Sequence, residues 1–275
     1  RVLTVSEELL VNVTPMETRV ALTDNGATQD VYIERAVNRG ILSNIYAGKV
    51  VRVLPGMQAA FVDIGAERTA FIHIADLVAI DGSGKGKKDP TADSIAAHLH
   101  EGKKISVQVI KEPLGSKGAR LTTQLSVSTR YLVLMPQTDH VGVSQLIDDP
   151  EERERLQSAL SEALLEEGAP SGCGFILRTA AEGVGVEELL ADLRYLQRVW
   201  AAISRRAKNA RKAALLYEDL PLHLRTVRDL ARPTVTRIVV DSDDAHAALS
   251  AFCAEYVPEV GALLEQYSGE RRLGD

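Results

Sequence analysis

Apolar residues follow two rhythms along this chain. Over the first 125 positions they come in short runs alternating with polar residues, the period of strands buried on one side. Residues 8–13 (ELLVNV), 17–22 (ETRVAL) and 30–34 (DVYIE) predict three short strands, and Asp24-Asn25-Gly26 supplies the positive-φ positions of a hairpin turn between the last two. Five more strand-like runs follow, at 48–54, 58–64, 69–74, 104–110 and 119–125. They are interrupted by DGSGKGKKDP (81–90), which has no apolar area to bury and predicts a mobile loop. The rhythm then turns helical. Asp149-Pro150-Glu151-Glu152 combines a capping carboxylate, proline at the first helical position and acid in the first turn, opening a helix that runs to about Gly168. Residues 174–179 (GFILRT) predict a buried strand emerging into a loop. A long helix is expected over 186–214, apolar at Leu189, Leu193, Leu196, Val199 and Ile203, with Trp200 at core spacing. A helix at about 220–231, a strand at 234–241, a helix at 243–256 and room for a final strand at 262–267 complete the reading.

Alternation also assigns faces. Ala60, Val62 and Ile64 share one side of 58–64, and Ala70, Ile72 and Ile74 share one side of 69–74. These aliphatic sets belong to the core, so Phe61, Asp63, Phe71 and His73 face solvent on adjacent strands. A one-residue slip would bury the rings but expose four aliphatic side chains. Two aromatic rings and an imidazole on a polar face suit base stacking, worth about 1–3 kcal/mol per base. Lys49, Arg52, Lys103, Lys104 and Lys111 supply cations for a nucleic-acid backbone. Five short antiparallel strands of this kind close into an OB-like barrel, whose strand 2–3 face binds oligonucleotides.

Charge sharpens this picture. The 275 residues carry a net charge of −6, against an all-over nucleic-acid binder, but 40–125 hold 11 Lys+Arg against 8 Asp+Glu. No apolar run approaches the ~18 residues that span a bilayer, and no secretory signal pattern opens the chain. Two cysteines without CxxC spacing, Cys173 and Cys253, exclude a disulfide framework and point to a reducing cytoplasmic compartment. The first residue is Arg1, which leaves room for a start upstream.

GKVVRVL (48–54), AAFVDIG (59–65) and AFIHIADL (70–77) resemble an S1 RNA-binding domain. Longer stretches resemble the RNase E/G family of bacterial endoribonucleases: ELLVNVTPMETRVAL (8–22), NIYAGKVVRVLPGMQAAFVDIGAER (44–68), GSKGARLTTQLS (115–126), YLVLMP (131–136) and GFILRTAA (174–181). The resemblance covers essentially the whole chain. It implies the recognition portion of a single-strand-specific, Mg2+-dependent endoribonuclease of rRNA processing and mRNA decay, working as a homo-oligomer and sensing a 5′-monophosphate on single-stranded RNA. The implied fold is α+β, a split RNase H-like subdomain with an inserted S1 (OB-fold) β-barrel and an α+β 5′-sensor subdomain. Residues 1–39 and 218–275 would form the RNase H-like part, 40–125 the S1 domain and 126–217 the 5′-sensor. By motif, Phe61, Phe71 and Lys111 match the RNA-binding positions, and Arg178 and Thr179 match the sensor pair. A guanidinium beside a hydroxyl suits a terminal monophosphate, which carries more charge than an internal phosphodiester. The family's metal-holding aspartates lie in a DNase I-like part that follows YSGERRLGD (267–275). No catalytic residue is therefore expected up to Asp275, no metal bound by this chain, and no hydrolysis by it alone.

Other motifs are weaker. Asp241, Asp243 and Asp244 cluster at a strand end, where Asp243 or Asp244 is expected to cap the next helix rather than bind metal. GSGKGKK (82–88) lacks the order of a phosphate loop. Arg194, Arg198, Arg205, Arg206, Lys208, Arg211 and Lys212 give the long helix a basic stretch, read as a solvated face or as an RNA or subunit contact. Cys173 has no neighbouring general base in sequence and reads as inert. Two readings from other classes stand beside the nuclease: a non-catalytic S1-type RNA-binding module, and an assembly scaffold.

Overall fold

The structure, a computed structural model, describes residues 6–36, 40–78, 94–231, 234–269 and 273; the predicted loop at 81–90 lies outside the described residues. The elements begin with strands β1 (Glu7–Val13), β2 (Glu17–Asp24), β3 (Ala27–Arg35), β4 (Ile45–Leu54), β5 (Ala59–Asp63) and β6 (Ala70–His73). Next come the single-turn helix α1 (Ile95–His98), then β7 (Lys104–Lys111), β8 (Arg120–Thr122), β9 (Val127–Ser128), β10 (Leu132–Pro136) and β11 (Val141–Val143). Helix α2 (Pro150–Glu167), β12 (Cys173–Leu177), α3 (Val186–Asn209) and β13 (Ala214–Tyr217) follow. The chain continues with α4 (Leu222–Leu230), β14 (Val235–Val240), α5 (Asp243–Tyr256), α6 (Pro258–Gly261) and β15 (Leu264–Gln266). The architecture is mixed α+β in two compact units, Arg1–Arg39 with Leu220–Asp275, and Gly40–Asp219.

The first unit is a five-stranded sheet in the order β15-β14-β1-β2-β3. Strands β1, β2 and β3 form an antiparallel meander, and β14 runs parallel to β1. Asn25 and Gly26, with φ of 49° and 82°, make the two-residue turn between β2 and β3. Leu9, Val11, Val20 and Leu22 bury one face with Ile238 and Val240, against Val227 of α4 and Leu249 and Cys253 of α5. Edge strand β3 is exposed along almost its whole length.

The second unit contains a closed five-stranded barrel, β4-β5-β6-β8-β7, sealed by pairing of β7 with β4 and consistent with an OB-like fold. Val50, Ala60, Val62, Ala70, Ile72, Val107 and Leu121 fill it without solvent exposure. Gly48 is needed where β4 crosses this core: a Cβ there would lie 2.6 Å from Val62 Cγ1. The same unit holds a second sheet, β11-β12-β10-β9, covered by α2 and α3. Its Leu132, Leu134, Phe175 and Leu177 pack with Leu156 and Leu160 of α2 and Leu189, Leu193 and Leu196 of α3. Asp149 caps α2 by accepting the Glu151 amide at 3.0 Å, with Pro150 at the first position, as the sequence predicts.

Two elements end well short of the predicted spans. The helix predicted over 186–214 ends at Asn209, because Leu216 is drawn into the core and 214–217 add to the free edge of β4 as β13. The strand predicted over 119–125 is only β8, because side chains take over the backbone pairing beyond it. There the Gln124 amide donates to Thr122 Oγ1 at 3.0 Å, and the Val78 amide to Thr123 Oγ1 at 2.7 Å.

Candidate nucleic-acid interface

The faces assigned by alternation hold in the barrel. Ala60, Val62, Ile64, Ala70, Ile72 and Ile74 are buried, Phe61 is 38% exposed, Asp63 is exposed, and Phe71 and His73 are half-buried. Strand register then brings residues together that lie far apart in sequence. Phe61 is paired with Arg52 on one side and with Phe71 on the other. Phe71 is paired across the parallel β6–β8 junction with Arg120, and Arg120 with Lys111. The result is one continuous row around the barrel, Arg52–Phe61–Phe71–Arg120–Lys111, with neighbours at cross-strand spacing of about 5 Å. Two rings are flanked by three cations.

Arg120 was not singled out from the sequence. Its guanidinium forks onto Asp76, Nε to Oδ2 at 2.8 Å and Nη2 to Oδ1 at 3.2 Å, which holds it in place and raises its already high pKa. Alternation alone puts it outward between buried Ala119 and Leu121, but only the non-local β6–β8 pairing sets it beside Phe71. His73 acts on its own turn. Its Nδ1 accepts the Ala75 amide at 3.2 Å and caps the turn over 74–76. Lys49 lies at the same level of the barrel as Asp63 and Lys104, three positions before Arg52.

A second constellation surrounds Arg178. It follows β12 in extended backbone, and its amide donates to Tyr131 O at 2.8 Å. Its Nη1 donates to Thr129 O at 2.6 Å and to Arg130 O at 3.4 Å. Thr129 is held in turn by buried Asp192 of α3, which accepts Thr129 Oγ1 at 2.5 Å and the Tyr131 amide at 2.7 Å. Burial pushes the Asp192 carboxyl up, partly offset by these hydrogen bonds and by the charge of Arg130. The Arg130 guanidinium lies 5.3 Å from the Tyr131 ring centroid. Thr179 is exposed in the short turn over 179–181. Thr129, Arg130 and Asp192 were missed in the sequence, although a carboxylate beside Leu193 on a core stripe is a readable signal.

The other candidates resolve into structure. Asp241 accepts Asn12 Nδ2 at 2.5 Å and the Val13 amide at 3.0 Å, tying β14 to β1. The α5 cap is Ser242, whose Oγ accepts the Ala245 amide at 3.3 Å; Asp243 and Asp244, expected as the cap, sit in the first turn instead. Cys173 is buried, and burial pushes its thiol up, away from the reactive thiolate. Among the described residues no group of three or more His, Cys, Asp and Glu could hold a metal ion, and no helix is long and apolar enough to cross a membrane.

The family model described as "Ribonuclease E/G family" matches residues 126–275. The chain belongs to the ribonuclease E/G family. Among curated members, Ribonuclease G of Escherichia coli (strain K12) is 48% identical over 270 residues, covering 98% of this chain and 54% of the relative. Ribonuclease G of Haemophilus influenzae (strain ATCC 51907 / DSM 11121 / KW20 / Rd) is 44% identical over 272 residues, with the same shares. Ribonuclease E of Escherichia coli (strain K12) is 33% identical over 271 residues, 96% of this chain and 25% of the relative. The chain spans about half the length of the ribonuclease G relatives it matches.

Proposed function

We propose that this chain is the RNA-binding and 5′-monophosphate-sensing portion of a single-strand-specific endoribonuclease that acts in rRNA processing and mRNA decay. In this reading 40–125 are the S1 domain, 126–217 the 5′-sensor, and 1–39 with 218–275 a split RNase H-like subdomain. The observation that carries it is the row Arg52–Phe61–Phe71–Arg120–Lys111. Phe61 and Phe71 offer faces to two successive bases, Arg52 and Lys111 neutralise the phosphates beside them, and Arg120, paired with Asp76, offers its remaining N–H groups. Asp76 keeps the Arg120 head from wandering, so less freedom is lost when RNA binds. Arg178, anchored at the Thr129 carbonyl, and exposed Thr179 beside it would take the terminal phosphate, a doubly charged acceptor suited to a guanidinium and a hydroxyl.

Hydrolysis belongs to the whole, oligomeric cytoplasmic enzyme in this reading, where Mg2+ held outside the described residues would supply Lewis acidity. The described residues do not fit a metal, so no chemical step is assigned to them. The chain's own contribution is capture and orientation of the strand. Phe61→Ala and Phe71→Ala should each weaken single-stranded RNA binding by about 5- to 150-fold, from 1–3 kcal/mol of lost stacking, measured by fluorescence anisotropy. Unchanged affinity would remove the stacking face. Arg178→Ala should erase any preference for 5′-monophosphate over 5′-hydroxyl RNA, and a retained preference would move the sensor elsewhere.

A further inference from the structure

Beside the barrel, the start of β7 and the segment that follows α3 enclose a cleft of about 140 Å³. Its charged lining is entirely cationic: Lys49 from β4, Lys104 from β7, and Arg211 and Lys212 from the chain between α3 and β13. Pairing of β13 with β4 draws Arg211 and Lys212 against the barrel, and the small residues Ala47, Gly48 and Ala213 leave the space open. Lys104 Nζ reaches across to Ala210 O at 3.4 Å. All four cations are exposed, and none has an acidic partner among the described residues. Elsewhere in the basic stretch, Arg194 pairs with Glu166 and Glu167, and Arg206 donates to Leu216 O.

Complementing the negative end of α3 accounts for one or two cations near residue 210. It does not account for Lys49 and Lys104, which come from barrel strands. The lysines lie at the level of Asp63, two residues and roughly 7 Å along β5 from Phe61 on the same outward face. Asp63 itself is turned onto its own loop, accepting the Gly65 amide at 2.8 Å.

We propose that this cleft is a second, sequence-independent subsite that takes the sugar–phosphate backbone of a single RNA strand leaving the aromatic row. The inference rests on the RNA-binding reading above. Its size suits a phosphate and its ribose, and its position continues the row rather than opening a separate surface. A short RNA engages the rings alone, while a longer one reaches the cleft and gains affinity from released counterions.

The test uses the 275-residue chain with Arg211→Gln and Lys212→Gln together, both exposed and outside any core. Binding is measured by anisotropy for oligouridylates of two nucleotides, enough to cover the two rings, and of about 16 nucleotides, the upper site size on such barrels. For the long RNA the slope of log K against log[salt] should flatten by about 1.4, two contacts at about 0.7 each, with the short RNA unaffected. The wild-type advantage then shrinks by about sevenfold between 50 and 200 mM salt. An unchanged slope for the long RNA overturns the subsite while leaving the stacking face intact. Poly-glutamate binding that the variant loses, with long-RNA binding unchanged, assigns the cleft to an acidic protein and likewise overturns it. A wild-type chain with no affinity for either RNA overturns both this inference and the function it rests on.

Discussion

Asp192 shows how a single side chain can set a site it does not itself occupy. It is buried on the apolar stripe of α3, and it fixes the Thr129 hydroxyl and the Tyr131 amide, next to the carbonyl that anchors Arg178. Asp192→Ala leaves these two donors without their acceptor and removes the charge near Arg130, and should cost about 3–5 kcal/mol in urea unfolding. Asp192→Asn keeps one acceptor oxygen and should cost less. The wild-type carboxyl titrates above its ordinary 3.8 in the folded state, so the folded chain is favoured while that carboxyl is protonated. Its stability relative to Asp192→Asn should therefore fall as pH rises from 3.8 through the folded value. Equal pH profiles for the two proteins would remove the ionisation from the argument. Glu152 behaves in the opposite sense: Arg155, and then the Gly183 amide at 2.8 Å, hold its carboxyl down at about 2. The Gly183 contact is complete above pH 4.5 and should be lost as pH falls through about 2, seen as a titrating Gly183 amide shift that Glu152→Gln abolishes.

At the scale of elements, local chemistry was legible and non-local pairing was not. Period-two alternation identified the β5 and β6 faces, because a slip there exposes Val62 and Ile72. Asn25-Gly26 and Asp149-Pro150 announced a turn and a helix start by their own backbone preferences. Strand β13 was hidden because ALLY continues a helical apolar pattern, and only the open edge of β4 makes it a strand. Arg120 was hidden for the same reason, since its neighbour Phe71 comes from a strand some fifty residues away. The need for Gly48 is equally a property of the closed barrel. Gly48→Ala pushes a methyl into Val62 and should cost about 1–3 kcal/mol of stability. Val62→Ala in the same chain should make the added methyl far less costly, and a double mutant no better than the sum of its singles would show that the clash lies elsewhere.

For the molecule as a whole, the average charge of −6 hides a basic stretch on an acidic chain, and the order of the sequence hides two units of different continuity. The unit at 40–219 is one unbroken stretch whose ends meet: Asn44, buried at its start, accepts the Asp219 amide at 2.9 Å through Oδ1, and β13 near its end pairs with β4 near its beginning. Closed ends and cores of its own make it independent in principle. The other unit is split, and its central strand β1 depends on β14, with Leu9 opposite Ile238 and Val11 opposite Val240. Residues 40–219 expressed alone should melt in one cooperative transition and bind single-stranded RNA as the whole chain does. Residues 1–39 alone should stay unfolded, because three strands without β14, α4 and α5 cannot bury Leu9, Val11, Val20 and Leu22. Adding a peptide of residues 220–275 should restore strand signal in circular dichroism. Loss of RNA binding by a folded 40–219 segment would mean that the split unit contributes directly to the RNA site, and would move part of the interface off the barrel.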